Sequence, residues 1–78
     1  MTLKIISAHD VSFSGEVTSV TMPGVLGSFT VLKNHAPLIS VLSKGVIRYT
    51  SDGEQQHEIE IAGGLADVND NVISVCVY

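Results

Sequence analysis

Seventy-eight residues carry a net charge of −4, with 45% hydrophobic and 15% charged side chains; this describes one globular domain with a thin core rather than a disordered tail. The acidic balance argues against the basic surface that nucleic acid requires. The apolar runs fall short of the roughly 20 residues of a membrane span, Met1-Thr2-Leu3-Lys4 lacks a signal-peptide core, and the one cysteine, Cys76, leaves neither an internal disulfide nor a zinc-finger framework, as in the cytosol or another reducing compartment.

In chain order the elements predict strands. Leu3 to Ser7 is β-rich, and His9-Asp10 breaks it. Val11 to Phe13 is short, and Ser14-Gly15 is a turn or bulge. Glu16 to Met22 alternates, with Thr18, Val20 and Met22 on one face and Val17, Ser19 and Thr21 on the other. Met22-Pro23-Gly24-Val25 reads as a type II turn, because Pro23 fixes φ and Gly24 tolerates positive φ. Gly27 then releases the chain into a short β run, Phe29 to Leu32, and Lys33-Asn34 is a polar tip. His35-Ala36-Pro37 is a rigid corner: Pro37 has no N–H and holds Ala36 extended. Leu38 to Leu42, almost wholly apolar, is expected to be a strand buried on both faces or crossing a sheet edge, with Leu38, Val41 and Leu42 in the core.

Ser43-Lys44-Gly45 turns into a strand from Val46 to Thr50. Ser51-Asp52-Gly53-Glu54 is the strongest hairpin signal, an Asp-Gly pair between two β runs. Glu58 and Glu60 alternate with His57, Ile59 and Ile61 in an outside/inside pattern. In Ala62-Gly63-Gly64-Leu65 the glycines allow close backbone approach or a sharp turn. A second turn falls at Asn69-Asp70-Asn71, and Val72 to Tyr78 is a last strand, apolar on both faces. No helical periodicity lasts ten residues. The expected fold is all-β, a single two-sheet β-sandwich over residues 1–78, with about nine or ten short strands.

The chemistry-bearing residues do not assemble into a catalytic motif. His35 at a rigid corner could be a base or a ligand, but no nucleophile motif accompanies it, and His9 and His57 lack ligand-like spacing to it. The plainer reading is that its ring nitrogens satisfy backbone groups at the bend. His9-Asp10 could orient a triad, yet there is no nucleophile elbow, so a polar turn is the expectation. Cys76, between Val75 and Val77, reads as a buried, inert thiol. Gly63-Gly64 is not followed by the Lys-Ser/Thr of a phosphate loop. Glu58 and Glu60 read as a solvated face, and Asp67, Asn69 and Asp70 lack a full calcium loop. Neither cofactor nor metal is expected. A rival to any structural role is a stand-alone small-ligand-binding sandwich, which needs a concave apolar pocket.

Gly24, Gly27, Phe29, His35-Ala36-Pro37-Leu38-Ile39, Gly45 and Ile47 together resemble the epsilon-subunit family of the F-type ATP synthase. Phe13-Ser14-Gly15 upstream and Ile61-Ala62-Gly63-Gly64-Leu65-Ala66-Asp67-Val68 and Asn71-Val72-Ile73-Ser74-Val75 downstream fit in the same order. The resemblance implies the family's amino-terminal sandwich. It also implies a non-catalytic rotor subunit of a proton- or sodium-translocating synthase, with the gamma subunit and the c ring as partners and no nucleotide on this chain. The implied location is the cytoplasmic face of the bacterial membrane, or its equivalent, reached only through the complex. The implied subunit-contact residues are Gly27, Ser28, Phe29, Lys33, Asn34, His35 and Ser40. Most relatives continue into an inhibitory helical hairpin, and this sequence stops at Tyr78, so that role is not carried over. The initial Met1 and the stop after the last strand favour a naturally short subunit over a cut piece of a longer one. Ser28 and Thr30 stand where many relatives have an acidic residue and a glycine, which puts a charge-based contact at Ser28 in doubt.

Overall fold

The computed structural model describes residues 1–7, 11–51 and 53–78. The expectations for His9-Asp10 and for Asp52 lie outside the described residues. Eight strands and no helix occur among those described: β1 (Thr2–Ser7), β2 (Val11–Gly24), β3 (Gly27–Leu32), β4 (Leu38–Leu42), β5 (Gly45–Ser51), β6 (Gln56–Ile61), β7 (Gly64–Asn69) and β8 (Val72–Val77). The count is below the sequence expectation because β2 runs unbroken through Ser14-Gly15 and on to Gly24.

β2 holds the architecture together. Its first part pairs antiparallel with β1, from Ile6↔Val11 to Thr2↔Glu16. Its second part pairs with β5 on one side and β3 on the other, so Ser19 lies opposite both Thr50 and Leu32. The β2–β5 register shifts between Val17 and Ser19. A bulge there is how one strand leaves one sheet and enters another. It also overturns the regular alternation expected from the sequence: Val17 is buried together with Val20 and Met22, and Thr18 is exposed.

One layer is therefore the first part of β2 with β1, β8, β7 and β4, and the other is β3, the second part of β2, β5 and β6. β1 and β8 are parallel, with Leu3 opposite Ile73, while the other pairs are antiparallel. The layers rejoin where Gly24 meets Leu42. Between them lies a Val/Ile/Leu core that includes Leu3, Ile5, Val20, Met22, Ile47, Ile73 and Val75, all fully buried. Such alternation, apolar inward and polar outward, is clearest on β7, where Ala66 and Val68 are buried and Asp67 and Asn69 exposed. The Thr2 hydroxyl donates to Glu16 at 2.7 Å and the chain's amino group lies 3.1 Å from the same carboxylate. Both hold the Glu16 carboxyl below its ordinary range.

Three expectations need correction. The turn after β2 is Val25-Leu26 rather than Pro23-Gly24: Pro23 and Gly24 are paired in the β2–β3 hairpin, and Gly27, with φ of 133°, supplies the positive φ. β4 is covered on one side only, since Leu42 is buried and Leu38 partly so while Val41 is 52% exposed. β8 is likewise one-sided, and Cys76 is exposed rather than buried. A strand apolar on both faces needs a second layer on each, and here the second layer exists on one side.

Candidate functional site

Five of the implied contact residues fall at the two ends of β3. Gly27 and Ser28 begin the strand, beside the exposed tip Val25-Leu26. Lys33, Asn34 and His35 follow its far end. Five strand steps separate Gly27 from Leu32, about 17 Å at the rise of a β-strand. The structure thus sets these residues in two separate groups. Phe29, opposite Met22, is half-buried and packs against the core and over Gly24, where an added Cβ would come within 3.0 Å of its ring. Ser40 is half-buried on the inward side of β4, its hydroxyl donating to the Val41 carbonyl at 3.3 Å.

At the far end the backbone is strongly determined. Asn34 adopts φ of 65°, a left-handed conformation that asparagine tolerates. His35 donates its N–H to the Leu32 carbonyl at 3.1 Å, and its Nδ1 lies 2.7 Å from the Ala36 carbonyl. The imidazole is thus engaged by the bend, as the plainer sequence reading had it. His35 itself is exposed. His57 lies on β6 instead, stacked on Tyr49 with ring centroids 5.1 Å apart. No group of three or more His, Cys, Asp and Glu able to hold a metal occurs among the described residues.

A second surface was not anticipated. Ile39, Val41 and Leu65 are exposed on the outer face of β4 and β7, with Ile39 71% exposed. The register sets Val41 opposite Leu65, Leu65 opposite Cys76, and Cys76 opposite Ile6. Four strands therefore present one outward row of Val41, Leu65, Cys76 and Ile6. The alternation within Leu38 to Leu42 was readable, but its outward half was not, because nothing in five apolar letters says which side will be covered. Without denaturant, Cys76 in the free chain is expected to react to completion with a water-soluble maleimide. Labelling that requires unfolding would place the thiol inside.

The polar outer face of the other layer offers little to a small molecule. Ser19, Thr21, Arg48, Gln56 and Glu58 line an open groove across β2, β5 and β6. Its one ion pair, Arg48 Nε to Glu58 at 2.9 Å, closes on itself. A ligand site wants a concave apolar wall with a few converging polar groups; this groove is open and, apart from the stacked Tyr49 and His57 rings, lined by polar side chains.

The family described as ATP synthase, Delta/Epsilon chain, beta-sandwich domain matches residues 1–78. The ATP synthase epsilon chain of Rhodopseudomonas palustris strain BisB18 is 42% identical over 71 residues, 91% of this chain and 52% of that one. The epsilon chain of Chlorobaculum tepidum is 41% identical over 70 residues, 90% of this chain and 80% of the relative. A chain in the cryo-EM structure of the Euglena gracilis mitochondrial ATP synthase, OSCP/F1/c-ring in rotational state 1, superposes with a TM-score of 0.90 at 25% identity, covering 96% of this chain and 48% of that one. This chain spans about half the length of the Rhodopseudomonas relatives. The match to the sandwich domain runs from the first residue to the last, and the chain belongs to the ATP synthase delta/epsilon family.

Proposed function

We propose that this chain is a non-catalytic central-stalk subunit of a proton- or sodium-translocating F-type ATP synthase, docked on the gamma subunit and the c ring so that ring rotation reaches the catalytic head. Residues 1–78 act as one docking domain. It reaches the membrane through the complex, at the cytoplasmic face of a bacterial cell membrane or the equivalent face of another energy-coupling membrane. No helix among the described residues is long and apolar enough to cross a membrane.

The observation that carries the reading is the outward row of Val41, Leu65, Cys76 and Ile6, in a chain whose family is that of a rotary assembly. A continuous exposed apolar face on so small a domain marks a protein contact. The two ends of β3 supply the rest. The tip carrying Gly27 and Ser28, with Leu26 beside them, serves the c ring, and Lys33, Asn34 and His35 serve gamma. Phe29 and Ser40 belong to the same region but hold their elements from the inner side.

Cysteine crosslinking in the assembled synthase tests this. With Cys76 replaced by serine, Ser28→Cys is expected to crosslink to c and Asn34→Cys to gamma. If both cysteines react freely with a soluble maleimide in the intact complex and crosslink to neither, the assignment fails. In the otherwise unaltered complex, Cys76 should also lose the maleimide reactivity it has in the free chain.

A further inference from the structure

We propose that Asn71, on the turn between β7 and β8, is a positioning residue for the Asn34-His35 contact and holds that loop in its docking conformation before a partner arrives. The inference rests on the reading of Lys33 to His35 as a gamma-facing patch. Asn71 lies 37 residues away from Asn34 in sequence and is not one of the implied subunit-contact residues.

Two hydrogen bonds join the residues reciprocally. The Asn34 backbone N–H donates to Asn71 Oδ1 at 2.7 Å, and Asn71 Nδ2 donates to Asn34 Oδ1 at 3.0 Å. One amide therefore reads both the main chain and the side chain of Asn34. Its own position is fixed independently. Asp70 and Asn71 have φ of 54° and 60°, the two positive values of a type I′ hairpin turn, between the paired residues Asn69 and Val72. The Asn71 carbonyl also accepts the Thr2 N–H at 2.9 Å, which ties the turn to β1. The clasp thus runs from a rigid hairpin, anchored on two strands, to a loop whose remaining backbone bond in the region is the short-range His35 N–H to Leu32. A shallow cleft lined by Asn34, His35, Pro37, Asp70 and Asn71 separates the two loops, so the clasp bridges them where apolar packing does not fill the gap.

Asn34 and His35 are exposed, and an exposed loop that had to be ordered on docking would lose affinity. A side chain held from below by a hairpin has already lost that freedom. This is a role for the clasp distinct from forming the turn, because a type I′ turn itself accepts glycine at the Asn71 position.

That preference makes the test clean. Asn71→Gly keeps the left-handed backbone and deletes both clasp bonds. In the full chain its melting temperature is expected to stay within a few degrees of wild type, while the dissociation constant for the gamma subunit of the matching synthase rises about tenfold. Asn71→Asp keeps an acceptor for the Asn34 N–H and should recover most of the affinity. His35→Ala serves as the reference for the contact itself. If His35→Ala weakens binding and Asn71→Gly binds within twofold of wild type, the positioning role is wrong and the contact patch stands. If neither variant weakens binding, the patch is misplaced and the inference falls with it. A large fall in melting temperature for Asn71→Gly, or no recovery by Asn71→Asp, would make Asn71 merely structural and overturn the proposal.

Discussion

Leu42→Ala is expected to lower the stability of the chain by about 2–5 kcal/mol, the usual cost of truncating a buried leucine. Leu42 is 2% exposed and sits at the end of β4, opposite Gly64 of β7 and in register with Gly24 of β2. It is thus the residue through which the two layers rejoin. Its register partners there are glycines, and how far the surrounding core side chains, Phe29 over Gly24 among them, close on the space sets where in that range the cost falls. For a domain of this size each kcal/mol moves the melting temperature by about 4–8 °C, so thermal unfolding should shift by about 10 °C or more. Val41→Ala, one residue earlier and 52% exposed, is the control; exposed substitutions of this kind stay near 0.5 kcal/mol. A wild-type melt for Leu42→Ala, or equal losses for both, would contradict the placement of the core.

That pair of neighbours marks how far the sequence alone reaches. Strand identity in Leu38 to Leu42 was legible, because β-favouring residues lie between Pro37 and the Ser43-Lys44-Gly45 turn. The side that meets the core was not legible. Ile39 and Val41 are as apolar as Leu38 and Leu42, and which half stays exposed depends on layers contributed by distant strands. β5 and β6 pair antiparallel, with Gly53 between them at φ of 85°, a value that glycine takes readily. Pro23-Gly24 misled as a turn signal. Its turn residues are paired within the β2–β3 hairpin, and the turn itself, Val25-Leu26, carries no turn signal of its own. The bulge near Val17 was invisible because it exists only relative to β5.

The candidate site divides the same way. His35 as a corner residue whose ring is engaged by the backbone was readable from Pro37, two residues on. That Gly27-Ser28 and Asn34-His35 are separated by the length of β3 follows from the β run, Phe29 to Leu32, that the sequence predicts. The Asn34–Asn71 clasp had no sequence signal beyond two turn-forming asparagines. A hydrogen bond across 37 residues is a product of topology, and local patterns do not encode it.

Gly64→Ala should cost more than Gly63→Ala, by about 1–3 kcal/mol, although the two glycines are adjacent and the sequence treats them alike. Neither has a positive φ, so backbone freedom is not the issue. A Cβ on Gly64 would fall well inside 3.0 Å of the Cys76 carbonyl oxygen and close to the Cys76 carbon and the Val77 Cα. All three are backbone atoms of β8, the strand that Gly64 pairs with. No rotamer change relieves that clash, so β7 must draw away from β8. The end of the ladder then suffers, including the Tyr78 N–H to Gly63 carbonyl bond at 3.2 Å and the Ala62 N–H to Tyr78 carbonyl bond at 3.3 Å. A Cβ on Gly63 would instead meet the Tyr78 ring at 3.0 Å. That ring is 79% exposed and can swing into solvent. Gly63→Ala is therefore expected to melt close to wild type. Gly64→Ala should melt clearly lower and lose amide protection first at Cys76 and Val77. It should also disturb the outward row at Leu65 and Cys76, which lies across the same pair of strands, so maleimide labelling of Cys76 should quicken. Equal melting temperatures for the two variants would show that β7 and β8 are not as close at Gly64 as the structure has them.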